Sequence, residues 1–512
     1  MAHRLILTAA DIITMTAEGD RAQALAIEDG RLLRVGARDA VADLIRQGWP
    51  VLDLPGRTVL PGFIDTHQHL MLTGLLATAI ALDAVTCLDE VLERVAAGSR
   101  GAPPGAWVRA GYLNEQRLRE KRMPTREELD RACSHRPVCV LHVAAHICAF
   151  NTRGLELLQL PASLAGVDRE GGRPTGVVRD PGILTHVHPV MARLIPEAAK
   201  VAAMEAAGGK ALEKGITTLH ALDGGDLGPG DTGIIMAHRE RLPVRVVCYN
   251  QSMDLGEVRR LGLPRVGGCI CADGAFEAHT AALFEPYSDQ PDNYGTLTYS
   301  QEVMDRFVLE AHREGLQIAV HCESERAIEQ VLAAMEKALR AHPRSDHRHR
   351  IEHLELPTYN QIARMAAAGI MAAMQPAFIP AFIGGQGMQG YAPLLGATRL
   401  RRLHPYRTLR EHGIPVCGGS DSPVTPYNPL AGVQAAVLHP NPEERLTVHE
   451  ALKMFTVAAA WSAFEEDEKG SLAPGKLADL VVLERDPFAV AADEIAAIRV
   501  ERVFVGGRQY EI

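Results

Sequence analysis

The chain has 512 residues, with 53 Lys and Arg against 63 Asp and Glu, giving a formal charge of −10. A net acidic chain without a long basic block is a poor match for phosphate backbones, which excludes nucleic-acid binding as a leading class. With 47% hydrophobic and 23% charged residues the composition is that of a soluble globular protein, and no apolar run reaches the roughly 18–20 residues that a membrane helix needs.

The start, MAHRLILTAADIITM, lacks the basic head, apolar stretch and cleavage site of a signal peptide and reads as a strand. Nine cysteines are scattered without a CxxC pair, which fits reduced thiols and a cytoplasmic location. Short strands are expected at 5–8, 12–16, 24–28 and 31–35, with Asp29-Gly30 as a hairpin turn. The C-terminal stretch behaves alike, with strands at 479–483 and 500–505 and a Gly506-Gly507 turn. The economical reading is one composite β-sandwich domain made from residues 1–57 and 468–512.

Between them, strands are expected at 58–65, 216–220, 244–249, 268–272, 317–321, 349–354, 370–374 and 414–418, several following amphipathic helical stretches such as 301–314 and 359–368. Eight such units predict an α/β fold, a (β/α)8 TIM-type barrel over 58–467, with its site at the C-terminal strand ends. The gap after the first barrel strand predicts an insertion over about 75–195, carrying strand-like pieces at 106–110 and 137–143 and suited to capping the site. The basic stretch His342 to Arg350, HPRSDHRHR, reads as a solvated loop.

His67 and His69 stand two apart at the end of the first barrel strand, so their imidazoles point the same way. That is a two-ligand clip for a divalent ion. HxH alone is weak, since histidines often simply pack or hydrogen-bond. Its weight comes from repetition: His321, His353 and Asp421 each follow or end a later predicted strand.

The order HxH, His, His, Asp resembles the amidohydrolase superfamily. The stretches LPGFIDTHQHL from Leu60, GITTLHAL from Gly215, ADGAFEAHTAAL from Ala272, RIEHLELP from Arg350, GSDSPV from Gly419 and GSLAPGKLADLVVL from Gly470 resemble its YtcJ-like branch, which includes N-substituted formamide deformylases. The resemblance implies a hydrolase cleaving an amide or N-acyl C–N bond of a small molecule, with cyclic-amide, ester or lactone hydrolysis, or a non-catalytic metal-binding or regulatory role, as alternatives. It implies that His67, His69, His321 and Asp421 surround a metal, zinc in the first instance. His353 is a ligand or a transition-state donor, and Asp421 takes a proton from water and returns it to the leaving nitrogen. It also leaves room for a homodimer.

Two departures matter. Binuclear relatives bridge two metals with a carboxylated Lys in a stretch resembling KxFADG. This chain has Cys269-Ile-Cys-Ala-Asp-Gly and no Lys from 215 to 336. Cys269, Cys271 or Glu277 could substitute, or the cysteines simply pack; one metal is favoured, with room for a second. The relatives' Arg near 279 is His279 here, which points to a neutral or cationic substrate group rather than an anion. His146, Asp273 and Glu325 are candidate substrate contacts, Glu325 equally a helix-start acid on the surface.

Overall fold

Strands Arg4–Ile13, Arg21–Glu28 and Arg31–Gly36 pair antiparallel in sequence order. Their period-2 pattern sends Leu7, Leu25 and Ile27 into one apolar cluster and Ile6, Ala24 and Ala26 into another with Trp49, so both faces of this sheet are covered. Leu480–Leu483 joins it antiparallel to Thr58–Pro61, and Val500–Val505 and Arg508–Glu511 extend it. The two ends of the chain thus share one eight-stranded sheet. Thr58–Pro61 belongs to that sheet, so the strand expected at 58–65 is in fact two, with Phe63–Gln68 as the second. Gly62 separates them where a Cβ would lie 2.3 Å from Thr217.

The computed structural model describes residues 4–101, 105–143, 147–179, 182–383 and 390–512; His146 lies outside them. The chain forms two compact units, one of Met1–His69, Gly208–Leu222 and Arg239–Ile512, the other of Leu70–Ala207 and Asp223–His238. In the second unit a six-stranded sheet runs Val167–Glu170, Arg173–Arg179, Ile147–Phe150, Val138–His142, Val108–Leu113, Ile80–Ala81. Asn151 holds its centre. Its Oδ1 accepts from Val138 N at 2.9 Å and Gly154 N at 2.8 Å, and its Nδ2 donates to the carbonyls of Cys133 and Arg136, both at 2.7 Å.

In the first unit the strands Phe63–Gln68, Ile216–Asp223, Arg245–Asn250, Arg265–Cys271, Gln317–Cys322, Arg350–His353, Met371–Met374 and Val416–Gly418 follow one another. They fall into a three-stranded sheet and a five-stranded parallel sheet rather than the closed barrel expected. One irregularity inside the five-stranded sheet has a local cause. Gly267 and Gly268 take φ of 99° and 110° inside their strand, and the register with Gln317–Cys322 shifts just after them. Only glycine fits there, since a Cβ on Gly267 would meet the Ala319 carbonyl oxygen at 1.9 Å.

Helices flank these strands as their patterns predict. In Gln301–Arg313 the buried residues Met304, Phe307, Val308 and Ala311 repeat at i, i+3, i+4 and i+7, and Ser300 caps the start. Tyr359–Ala368 begins with a capping box between Thr358 and Gln361. Ala459 and Ala460 are small enough to bring their helix onto Ile64, Met371, Ala373 and Cys417, which fixes the backs of the strands whose ends carry the site. Among the described residues no helix is long and apolar enough to cross a membrane.

The stretch at 342–350 is solvated only in its first half: His342, Pro343, Ser345 and Asp346 are exposed, whereas His347, Arg348, His349 and Arg350 are buried. Ile318 N donates to His349 Nδ1 at 3.1 Å, so His349 Nε2 carries the proton. It meets His312 Nδ1 at 2.9 Å, and His312 Nε2 reaches the His342 carbonyl at 2.7 Å. Every proton in this row has an acceptor, which makes it structural. Arg348 pairs with Glu466 and lies over Trp461 and Phe464.

Candidate metal centre

The first site strand is locked to the last. Asp65 Oδ1 accepts from His67 N at 3.2 Å and from Ser420 N at 3.0 Å, Asp421 N donates to the His67 carbonyl at 2.7 Å, and His69 N to the Ser422 carbonyl at 2.9 Å. Gly419 permits this approach, because a Cβ there would lie 2.5 Å from His67 N. Asp421 and His353 hold left-handed backbone, with φ of 55° and 67°. Such conformations cost about 1–3 kcal/mol each and persist where the surroundings enforce them.

The two imidazoles have fixed tautomers. His67 Nδ1 lies 2.6 Å from Glu352 Oε2. That carboxylate also accepts from Arg350 Nη2 at 2.7 Å, so the proton is on His67. His69 Nδ1 donates to the Leu222 carbonyl at 2.8 Å. Both Nε2 atoms therefore turn lone pairs inward. His67 Nε2 lies 3.3 Å and His69 Nε2 3.1 Å from Asp421 Oδ1, and Cys269 Sγ lies 3.3 Å and 3.6 Å from the same nitrogens.

Acceptors facing acceptors at this range repel unless a positive charge lies among them. Ligand bonds of about 2.3 Å to sulfur and about 2.0 Å to nitrogen at a tetrahedral angle set S···N edges of about 3.5 Å, close to the distances seen. Without an ion, the same negative groups would draw a proton to each Nε2, which marks this point as one that favours positive charge. Burial alone would lower His67 and His69, yet Cys269 and Asp421 raise both well above the ordinary imidazole value. Burial would raise Asp421 and Cys269, yet the two histidines hold both below their ordinary values. The residues present fit a divalent ion.

Two overlapping ligand sets exist among the described residues: His67, His69 and Cys269, and His67, His353 and Asp421. His321 joins neither. Its ring centroid is 4.4 Å from that of His353, and its Nδ1 is 3.6 Å from Asp273 Oδ1 with no hydrogen-bond partner. Burial pushes His321 down to about 4, so it is a neutral base with a free lone pair. Both ring nitrogens of His353 lack hydrogen-bond partners too.

The remaining candidates separate. Glu277 is exposed and accepts from Tyr391 Oη at 3.1 Å, away from both ligand sets. Cys271 Sγ donates to the Cys269 carbonyl at 3.5 Å. Asp273 is occupied by the protein itself, accepting from the amides of Ala282, Glu323 and Ser324 and from Ser324 Oγ at 2.6 Å. Glu325 starts its helix but is buried rather than on the surface, with Arg402 at 3.5 Å. Gln68 turns into packing, its Oε1 accepting from Tyr427 Oη at 2.8 Å. Glu352 and Arg350, which orient His67, were not singled out from the sequence although both lie in RIEHLELP.

A family profile described as "Amidohydrolase family" matches residues 50–510. The chain belongs to the amidohydrolase family. It is 30% identical to YtcJ of Bacillus subtilis (strain 168), named as an amidohydrolase, over 97% of both chains. It is 29% identical to the N-substituted formamide deformylase of Arthrobacter pascens, over 98% of this chain and 97% of that one. An uncharacterized metal-dependent hydrolase from Pyrococcus furiosus superposes with a TM-score of 0.81 at 26% identity, covering 95% of this chain and all of the other. Family membership makes this a metal-dependent hydrolase fold, and the lone pairs gathered at His67 and His69 are where its residues suit a metal.

Proposed function

We propose that this enzyme hydrolyses the C–N bond of an amide or N-acyl compound, with one zinc ion held by His67, His69 and Cys269 and with Asp421 beside it. The observation that carries the proposal is the convergence of two tautomer-fixed Nε2 atoms on Asp421 Oδ1 and Cys269 Sγ. Two imidazoles and a thiolate form a borderline-soft, three-ligand set of the kind that catalytic zinc sites use, which leaves a position for water. When bound, such an ion supplies Lewis acidity and brings water towards ionisation near neutral pH. The protein's own groups do the rest. Asp421 Oδ1 has no hydrogen-bond partner and is the base that takes the proton of the attacking water. His353, neutral because burial holds it well below the ordinary imidazole value, orients the substrate carbonyl. Asp421 then returns its proton to the leaving nitrogen, so the base regenerates in each turnover.

We read the two sheets of site strands as arcs of one (β/α)8 barrel, and residues 75–195 as an insertion in it. The test is a panel of formamides and N-acyl amines assayed with zinc-loaded wild type and Asp421→Asn. Turnover by wild type and a loss of at least about a thousandfold in the variant are expected for removal of a general base. Near-normal turnover by folded, zinc-loaded Asp421→Asn would refute the role of Asp421. No turnover of any amide or ester would favour a binding protein.

A further inference from the structure

Beyond the metal centre, the strand ends carry polar atoms that the reaction does not use, and they are almost all acceptors. Glu355 is wholly buried, neither of its carboxyl oxygens has a hydrogen-bond partner, and burial pushes it up to about 8, so a bound cation would be needed to hold it ionised. Its neighbour His404 Nε2, at 3.2 Å, supplies no charge, since burial pushes His404 down to about 3. Gln375, also wholly buried, leaves its Oε1 without a donor and lies next to His353. Glu323 uses Oε2 to accept from Phe276 N at 2.9 Å, while its Oε1 lies 4.0 Å from His321 Nε2.

The arginines that follow along the chain are committed elsewhere: Arg402 to Glu325 and the Pro357 carbonyl, and Arg399 to the carbonyls of Leu395 and Glu285. Buried acceptors without donors are costly, so this wall calls for a ligand that brings N–H groups and positive charge. Aromatic faces suit an organic cation rather than a bare ion. Phe276 meets Tyr391 edge-on at 5.2 Å, Tyr391 stacks on Phe382 at 5.7 Å, and Phe378 stacks on His353 at 5.9 Å. Glu323 and Glu355 take part in neither of the ligand sets found among the described residues.

We infer that Glu323, Glu355 and Gln375 form an acceptor-rich subsite beside His321 and His353 that binds a positively charged N–H donor on the substrate: an ammonium, amidinium or guanidinium group. The inference rests on the hydrolase reading above for the position of the scissile bond, and it names the substrate class as cationic N-acyl amines.

The experiment uses the metal-loaded full chain. Turnover is compared for mono-N-formylputrescine and N-pentylformamide, which match in length and differ in the terminal ammonium. Binding of benzamidine and of neutral acetophenone is measured by calorimetry on the same protein. Charge-assisted hydrogen bonds predict a preference of about tenfold or more for each cationic probe, carried in KM for the substrate pair. Glu355→Gln and, separately, Glu323→Gln, which keeps an acceptor for Phe276 N, should shrink that preference to within about twofold.

Turnover of both formamides without preference would overturn the subsite and leave the hydrolase reading standing. No turnover of either, with benzamidine bound about tenfold tighter than acetophenone, would overturn the reaction and leave the subsite standing. Equal binding of benzamidine and acetophenone would overturn the subsite whichever way turnover falls. The probe comparisons on wild type need no variant to fold.

Discussion

Glu352→Gln separates metal binding from folding. Glu352 and Arg350 are both wholly buried and are joined by Nη2 to Oε2 at 2.7 Å and by Nε to Oε1. Arg350 spends its other donors on the Thr66 carbonyl at 2.8 Å and Tyr249 Oη at 3.0 Å. The variant keeps the side-chain volume but leaves a guanidinium in the interior without its counter-charge, which costs about 3–5 kcal/mol. That is a large part of a typical stability of about 5–15 kcal/mol without exceeding it. Glu352 also fixes the His67 tautomer through the 2.6 Å contact, and loss of such a partner weakens metal affinity by about 10- to 100-fold.

Denaturant unfolding of the metal-free proteins reads the first effect, and chelator competition for zinc on folded protein reads the second. Burial would raise Glu352, but Arg350 and His67 hold it below the ordinary glutamate value. Its stabilising contribution is therefore complete above the unfolded value of about 4.3 and fades as pH falls through the lower folded one. Wild type should lose this increment on acidification, and Glu352→Gln should not. Unchanged zinc affinity in a folded variant would refute the orienting role. Unchanged metal-free stability would refute the buried pair.

Cys269→Ser should weaken zinc binding by at least about tenfold. It should also abolish the thiolate-to-metal absorption of the cobalt-substituted protein; an unaltered spectrum would show that Cys269 only packs. Gly419→Ala forces a Cβ to within 2.5 Å of His67 N, and a shift of the histidine pair on that scale should lower kcat/KM by about a hundredfold while circular dichroism stays native. Normal kinetics would mean the contact is not needed. Asn151→Ala strips four hydrogen bonds from the six-stranded sheet, at a cost of about 3 kcal/mol or more. Faster amide exchange at Val138 and Gly154 is the expected readout, and wild-type protection there would contradict it.

Much of this architecture was legible because it obeys simple periods. Apolar runs alternating with amphipathic helices located the site strands, and the paired β-rich ends anticipated a sheet shared by both termini. What escaped was whatever broke a period or depended on a partner. Gly268 read as the start of an ordinary strand, yet its positive φ and that of Gly267 before it shift the ladder. The basic run before Arg350 looked solvated because composition counts charges and cannot see Glu466, Trp461 or the His312–His349 row that receive them.

Glu352 is the most instructive omission. In an unbroken strand, Glu352 and His353 project to opposite faces, and a reader who places His353 at the metal must place Glu352 away from it. Here Glu352 Oε2 touches His67 Nδ1 while the His353 ring lies 4.8 Å from the ring of the same histidine. The left-handed turn at His353 and Leu354, with φ of 67° and 48°, removes the conflict. It rotates His353 out of alternation at the strand's last residue, so that adjacent residues serve one imidazole from two sides. Asp421, three residues past the strand Val416–Gly418, also holds left-handed backbone, at φ 55°. The strained positions are those where two side chains must reach one point that regular geometry would deny to one of them. A Gly at 353 or 421 would relieve the backbone but remove the imidazole or carboxylate beside His67, which is why a His and an Asp carry that strain.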